Sequence, residues 1–85
     1  MSQPEIVMYV RRHCGDVDYA RQVLADRELD WTEIDIDRDA EGLKKVVEWI
    51  GTGRSPTPTI WIGKTMLVEP DEDEIDEALE KERVD

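Results

Sequence analysis

The sequence predicts an α/β fold in which a four-stranded mixed sheet is flanked by three helices, in the order βαβαββα. Short apolar, β-branched runs alternate along the chain with stretches whose apolar residues recur at helical spacing. Two of the runs are separated only by Gly63 and Lys64, which is typical of a tight antiparallel hairpin. A strand, a helix and a second strand form a right-handed parallel crossover instead. The sheet is therefore predicted to be mixed, with helices on both of its faces.

The first part of the chain is predicted to hold two strands and two helices. The run IVMYV from Ile6 to Val10 indicates a buried strand, and apolar spacing from Asp16 to Arg27 indicates a helix that Asp16 caps. The segment LDWTEIDID alternates imperfectly and indicates a second strand. The next helix follows Asp39, a typical N-cap, and ends at Gly51, a typical helix stop.

The second part is predicted to hold the hairpin and a last, acidic helix. The hairpin strands are expected over Thr59–Ile62 and Thr65–Val68. In DEDEIDEALEKE the apolar residues share one side of a helix, and Asp71 followed by Glu74 predicts a capping box. We expect the tryptophans to pack in or against the core; they are Trp31, Trp49 and Trp61.

Length and charge limit the kinds of protein that this chain can be. Its 85 residues include 22 acidic and 11 basic side chains, for a net charge of −11, and such a surface repels the phosphates of nucleic acids. One cysteine excludes an internal disulfide, and the one histidine cannot complete a zinc site with it. The apolar runs are too short to span a membrane, and the first residues lack the order of a signal peptide. We therefore expect a single domain over residues 1–85, in the cytoplasm, whose core rests on packing alone.

The one cysteine lies where a predicted strand meets a predicted helix. Cys14 follows Arg11, Arg12 and His13, and a sulfur at the first turn of a helix faces free backbone N–H groups and the positive end of the helix dipole, which favour the reactive thiolate. Charged residues on both sides predict a surface nucleophile rather than an inert core residue. Three residues later comes Val17, not a second cysteine, so a redox cycle at Cys14 needs a thiol from another molecule.

A proline-rich segment, GRSPTPT, precedes the predicted hairpin. Pro58 at the start of an apolar run predicts a turn or a cis peptide bond. Together, Cys14 at a helix start, the hairpin opened by TPTI and the acidic last helix resemble a glutaredoxin of the thioredoxin fold, over roughly Glu5 to Leu79. The segment RSPTPTIWI is similar to the family's segment around its proline, and LVEPDEDEI resembles the mycoredoxin-type branch. The segment CGDV differs from the two-cysteine motif and from the CGFS of the cluster-sharing monothiol members.

The resemblance implies roles for particular residues. Cys14 matches the nucleophile, Pro58 matches the cis-proline, and the backbone of Thr57 would pair with a bound thiol peptide. Arg54 matches a side chain that holds a glutathione carboxylate, a task that suits the planar guanidinium group. The implied thiol-binding residues are Arg11, Arg12, Arg54, Thr57, Pro58, and finally Val68 and Glu69, which replace paired glycines of the family.

The resemblance also implies a function. The chain would be a monothiol oxidoreductase that acts through Cys14 on mixed disulfides between proteins and small thiols. Its co-substrate would be glutathione, mycothiol or a similar low-molecular-weight thiol, with no bound metal, no nucleic-acid or membrane partner, and a monomeric chain. Two other functions stay open: a non-catalytic binding module of the same fold, and carriage of an iron–sulfur cluster by a thiol-bridged dimer.

Overall fold

The computed structural model describes residues 3–83. Its strands are β1 (Ile6–Val10), β2 (Thr32–Asp35), β3 (Thr59–Ile62) and β4 (Thr65–Val68). Its helices are α1 (Gly15–Asp26), α2 (Ala40–Ile50) and α3 (Glu72–Lys81). The strands lie in the order β2-β1-β3-β4, with β2 parallel to β1 and antiparallel pairs between β1 and β3 and between β3 and β4. This architecture confirms the predicted mixed sheet and the predicted order of elements.

The core lies on both faces of the sheet. On one face, α1 and α3 cover alternate residues of β1 and β3; the buried residues there are Ile6, Met8, Val10, Val17, Ala20, Val23, Leu24, Ile60, Ile62, Ile75 and Ala78. On the other face α2 covers the sheet, and Tyr9 of β1 and Val46 of α2 are buried between them. Trp49 packs edge-on between the rings of Tyr9 and Trp61, at centroid distances of 5.1 and 5.3 Å. Trp31 packs against the first face, so the predicted core positions of the tryptophans are confirmed.

Two of the predicted helix ends are formed by the predicted side chains. The Asp39 carboxylate accepts a hydrogen bond of 2.9 Å from the N–H of Gly42 at the start of α2, and Gly51 ends that helix with a φ of +79°. At α3 the carboxylate of Asp71 accepts from the N–H of Glu74, and the carboxylate of Glu74 accepts from the N–H of Asp71. This reciprocal pair is the predicted capping box.

The first helix starts earlier than the sequence indicates. Cys14 is the N-cap of α1, with φ −104° and ψ 114°, and its side chain makes no capping hydrogen bond. The predicted cap at Asp16 is wrong, because His13 adopts a φ of +55° and turns the chain into the helix two residues sooner. As a consequence, the backbone N–H groups of Gly15 and Asp16 make no hydrogen bond within residues 3–83.

Gly42 offers a test of the packing between α2 and the sheet. It is buried, and a Cβ atom at this position would lie 2.7 Å from Cγ2 of Ile34. Gly42→Ala therefore lowers the free energy of unfolding by about 1 kcal/mol, because overpacking outweighs the helix preference of alanine. Urea denaturation of the purified protein measures this change. Gly15→Ala, with no atom within 4 Å of its added Cβ, is the control and leaves stability close to that of the wild type; an increase for Gly42→Ala would contradict the packing argument.

The pair Arg21–Glu33 makes stability depend on pH. Both oxygens of Glu33 accept from the Arg21 guanidinium at 2.7 Å, and this contact holds the pKa of Glu33 below its ordinary range. A carboxyl group with a lowered pKa in the folded state stabilises the fold above its unfolded pKa and loses that contribution as the pH falls through the folded pKa. Glu33→Gln is therefore less stable by about 0.2–1 kcal/mol at neutral pH. The difference from wild type, followed by denaturation at a series of pH values, disappears as the pH falls through the lowered folded pKa of Glu33; a constant difference would show that charge is not its cause.

Candidate active site

Cys14 lies against Thr57 at the edge of the sheet. The thiol donates to the carbonyl oxygen of Thr57 at 3.6 Å, and the Thr57 hydroxyl donates to the sulfur at the same distance. Cys14 is half-buried, whereas Thr57 is only 8% exposed. A sulfur in this position is accessible to a reagent, and both its protonated and its deprotonated form have a hydrogen-bond partner.

The pairing of β1 with β3 brings these two residues together. Tyr9, near the end of β1, lies opposite Thr59, the first residue of β3. Cys14 follows the end of β1 and Thr57 precedes the start of β3. Because these two strands are antiparallel, both residues lie in loops at the same end of the paired strands. The Thr57–Pro58 peptide bond is cis, as the resemblance implied.

Groups of opposite electrostatic effect lie at the start of α1, where Asp16 and Asp18 place carboxylates in the first turn. Cys14 occupies the N-cap, and the unpaired N–H groups of Gly15 and Asp16 belong to the same turn. The positive end of a helix dipole and free N–H donors stabilise an anion, and a thiolate is the nucleophilic form of cysteine. The side chains of Arg12 and His13 are exposed beside this turn.

Val68 and Glu69 lie next to the proline loop, and their role in binding a thiol stays a prediction. Val68 is paired with Thr59 across β3 and β4 and is 39% exposed. The N–H of Glu69 donates to the carbonyl oxygen of Pro58 at 2.8 Å, and Glu69 itself has a φ of +47°. Cys14, Thr57, Pro58, Val68 and Glu69 therefore form one contiguous site.

The three arginines of the predicted set have different surroundings. The guanidinium of Arg11 donates to the backbone oxygen and to the hydroxyl of Ser55, and its Nε lies 3.4 Å from Asp37. Arg11 thus ties the end of β1 to the loop that carries Thr57. Arg12 and Arg54 are exposed and make no ion pair with any residue from 3 to 83. Their binding of a thiol compound stays a prediction.

Some residues that support the site through distant contacts could not be predicted from the sequence. Ser55 receives the Arg11 guanidinium, and the Tyr19 hydroxyl accepts from the N–H of Glu72 at the start of α3. Arg27, after α1, forms ion pairs with carboxylates of α3. These partners lie 44, 53, 45 and 49 residues apart, and no spacing rule relates residues so distant in the chain. The only sequence signal for such contacts is that Tyr19 and Arg27 occur among polar residues in and after α1.

Neither a metal-binding group nor a membrane-spanning helix is present in the part of the chain that the structure describes. Over residues 3–83, no three side chains of His, Cys, Asp or Glu come together in a group that could hold a metal ion. The helices in the same range are too short or too polar to cross a membrane. The expected lack of a resident metal stays a prediction.

Arg11 and Arg12 form a matched pair for testing the support of the site. Arg11→Met removes the bonds to Ser55, so amide hydrogen exchange of residues 54–57 becomes faster and the free energy of unfolding falls by about 1 kcal/mol. Arg12→Met removes an equal charge without breaking a bond and leaves exchange in this loop unchanged. Equal effects of the two variants would show that charge near Cys14, not the bonds of Arg11, controls the loop. Hydrogen-exchange mass spectrometry of both variants gives the measurement.

Comparison with known proteins identifies the family. The glutaredoxin family model matches residues 6–67, and no curated protein matches the chain. Among solved structures, a mutant of the thioredoxin-like protein BC3987 superposes with a TM-score of 0.79 at 17% identity, covering 89% of this chain and 95% of its own. The glutaredoxin from Brucella melitensis gives a TM-score of 0.73 at 25% identity, covering 99% and 97%. The buckwheat glutaredoxin–glutathione complex gives 0.70 at 18% identity, covering 93% and 76%. The family match spans most of the chain and includes Cys14 and the proline loop, so this protein belongs to the glutaredoxin family.

Proposed function

We propose that this protein is a thiol–disulfide oxidoreductase that acts through Cys14 on mixed disulfides between proteins and small thiols. The family and the fold support thiol–disulfide chemistry in general. The observation that carries the finer proposal is the position of the Cys14 sulfur, 3.6 Å from both polar oxygens of Thr57 and at a helix N-terminus with free N–H groups. The lack of a second cysteine restricts the chain to reactions in which Cys14 forms a disulfide with another molecule.

The first step is an exchange of one disulfide for another. The Cys14 thiolate attacks one sulfur of a disulfide R–S–S–R′, the bond between Cys14 and that sulfur forms, and R′–S⁻ leaves and takes up a proton from water. The two electrons of the broken bond depart with R′, so Cys14 is oxidised and R′ is reduced. In the second step the thiolate of a small thiol attacks the mixed disulfide and releases the Cys14 thiolate.

Thr57 provides different contacts in the two states of the sulfur. In the thiol form the S–H group donates to the Thr57 carbonyl oxygen. When the proton leaves, that donor is lost, whereas the Thr57 hydroxyl continues to donate to the sulfur and stabilises its charge. The carbonyl oxygen then becomes available to accept an N–H of the incoming molecule. Thr57 thus supports both the activation of Cys14 and the placement of its substrate.

A small thiol completes the cycle. The family uses glutathione as co-substrate, and the related buckwheat structure is a complex with glutathione. In this chain, we propose that a low-molecular-weight thiol (glutathione, mycothiol or a similar compound) regenerates Cys14, and that the protein works as a monomer in the reducing cytoplasm. Among the alternatives, no contact of the described residues favours the binding module or cluster carriage over this cycle.

Intact-mass spectrometry tests the proposal. The reduced protein, incubated separately with the disulfides of glutathione and mycothiol, gains the mass of one thiol on Cys14 with at least one of them. An excess of the corresponding thiol removes the added mass, because the second step reverses the modification. The rate of each step is read from the time course.

Cys14→Ser is the control for this experiment. It differs by a single atom, keeps the fold, and forms no adduct with any disulfide. A wild-type protein that gains no mass, although the free model thiol N-acetylcysteine amide reacts under the same conditions, would contradict the proposed function. A brown, dimeric product after anaerobic reconstitution with iron and sulfide would favour cluster carriage instead.

A further inference from the structure

The helices α1 and α3 both start beside the site, and their N-termini differ in hydrogen bonding. The first N–H groups of α1 are open, as described above. At α3, three of the first four N–H groups already have partners: Asp71 and Glu74 donate to each other's carboxylates at 3.1 and 2.8 Å, and Glu72 donates to the Tyr19 hydroxyl at 3.2 Å. An anionic group of a substrate therefore finds two free donors at α1, whereas at α3 only the N–H of Asp73 is without a partner within residues 3–83.

Carboxylates line the side of the site that leads to α3. Glu69 is held against Pro58 by its backbone N–H, and its side chain is exposed. Arg27 reaches α3, but its guanidinium is paired with Glu72 and Asp76. Within the segment from Glu69 to Glu74, the exposed carboxylates without an ion pair to any residue from 3 to 83 are those of Glu69, Asp71, Asp73 and Glu74. This side of the site therefore carries an uncompensated negative field.

Few cations near the site are free of an ion pair within residues 3–83. Arg12 precedes Cys14 by two residues, and Arg54 lies in the loop before Thr57. Arg11 does not add to this charge at full strength, because it lies 3.4 Å from the carboxylate of Asp37. The first turn of α1 also carries Asp16, which is exposed and has no ion pair to any residue from 3 to 83, so a disulfide bound over Cys14 meets more free carboxylates than free cations.

This asymmetry bears on which disulfides react. Resting on the proposed exchange at Cys14, we propose that the site prefers disulfides with an ammonium or guanidinium group near the reacting sulfur over anionic ones, and that Glu69 is a specificity-determining residue. A cation on the α3 side is attracted by four carboxylates, whereas an anion there is repelled and finds no free N–H group except that of Asp73. The matching chemistry is that of a small aminothiol disulfide or of a client cysteine flanked by lysine or arginine.

The size of the preference follows from the exposure of these charges. Fields of this kind change encounter rates by about tenfold or more at low ionic strength. Since the carboxylates are in contact with solvent, salt screens them, and the preference shrinks at high ionic strength. A preference that arose from shape alone would not depend on salt.

Three small disulfides of different charge test the proposal on the full chain. They are cystamine (cationic), 2-hydroxyethyl disulfide (neutral) and glutathione disulfide (anionic). The rate of adduct formation on Cys14 is divided by the rate of the same disulfide with N-acetylcysteine amide, which removes differences in intrinsic reactivity. We expect the normalised rate for cystamine to exceed that for glutathione disulfide by about tenfold at low salt, and the ratio to fall towards one at high salt.

Charge variants test whether Glu69 is responsible for the preference for cationic disulfides. Glu69→Lys reverses one charge next to the proline loop, and Glu69→Gln removes it; each reduces the preference, the first by more. Glu5→Lys makes the same change of net charge just before β1, at the end of the strand opposite to Cys14, and leaves the preference unchanged. If Glu5→Lys lowered it as much as Glu69→Lys, net charge and not Glu69 would be responsible, and the proposal would be overturned.

Two short peptides show whether the preferred positive charge belongs to a client protein or to the small co-substrate. Each carries one cysteine as a mixed disulfide with 2-mercaptoethanol, flanked by lysines in one peptide and by glutamates in the other. A preference for the lysine peptide assigns the charge to client proteins, and a preference confined to cystamine assigns it to the small co-substrate. Equal normalised rates for all disulfides would overturn this inference and leave the proposed function intact. No adduct with any disulfide would overturn both.

Discussion

The register between β1 and β3 is the constraint on which the rest of the site depends. Tyr9 lies opposite Thr59, so the loop after β1 and the loop before β3 meet at one edge of the sheet. The alternation of side chains holds this register, because Met8 and Ile60 are buried on one face and Tyr9 on the other. A shift of one residue would exchange the two faces and would carry Thr57 away from the sulfur. The active-site geometry is thus a consequence of core packing.

The loop before β3 is held by contacts that come from different elements. Arg11 binds Ser55 from the end of β1, the Thr59 hydroxyl donates to Pro56 at 2.8 Å from within β3, and the N–H of Glu69 donates to Pro58 from the end of β4. A loop fixed from three sides presents its oxygen atoms to Cys14 in one arrangement. Preorganised donors and acceptors of this kind do not have to be ordered when a substrate arrives.

The parts of the structure that the sequence predicted are those that rest on local patterns. The bounds of β3 and β4, the cap of α2 at Asp39 and the capping box at Asp71 all follow from residues within one element or turn. The cap of α1 was predicted wrongly because the left-handed conformation of His13 has no sequence signature as clear as that of a glycine. The bonds of Arg11 and Tyr19 could not be predicted, since their partners are brought close only by the tertiary fold.

In the proposed exchange, the residue three positions after Cys14 determines how the protein responds to the surrounding thiols. Val17 is fully buried in the first turn of α1, and its N–H donates to the Cys14 carbonyl oxygen at 3.1 Å. Because a hydrocarbon occupies this place, oxidation of Cys14 by a small disulfide in the proposed exchange releases one small thiol per chain, and reduction consumes one. The equilibrium therefore follows the ratio of a thiol to its disulfide, independent of the size of the pool. A protein with two sulfurs, by contrast, follows the square of the thiol concentration and responds to dilution as well as to oxidation.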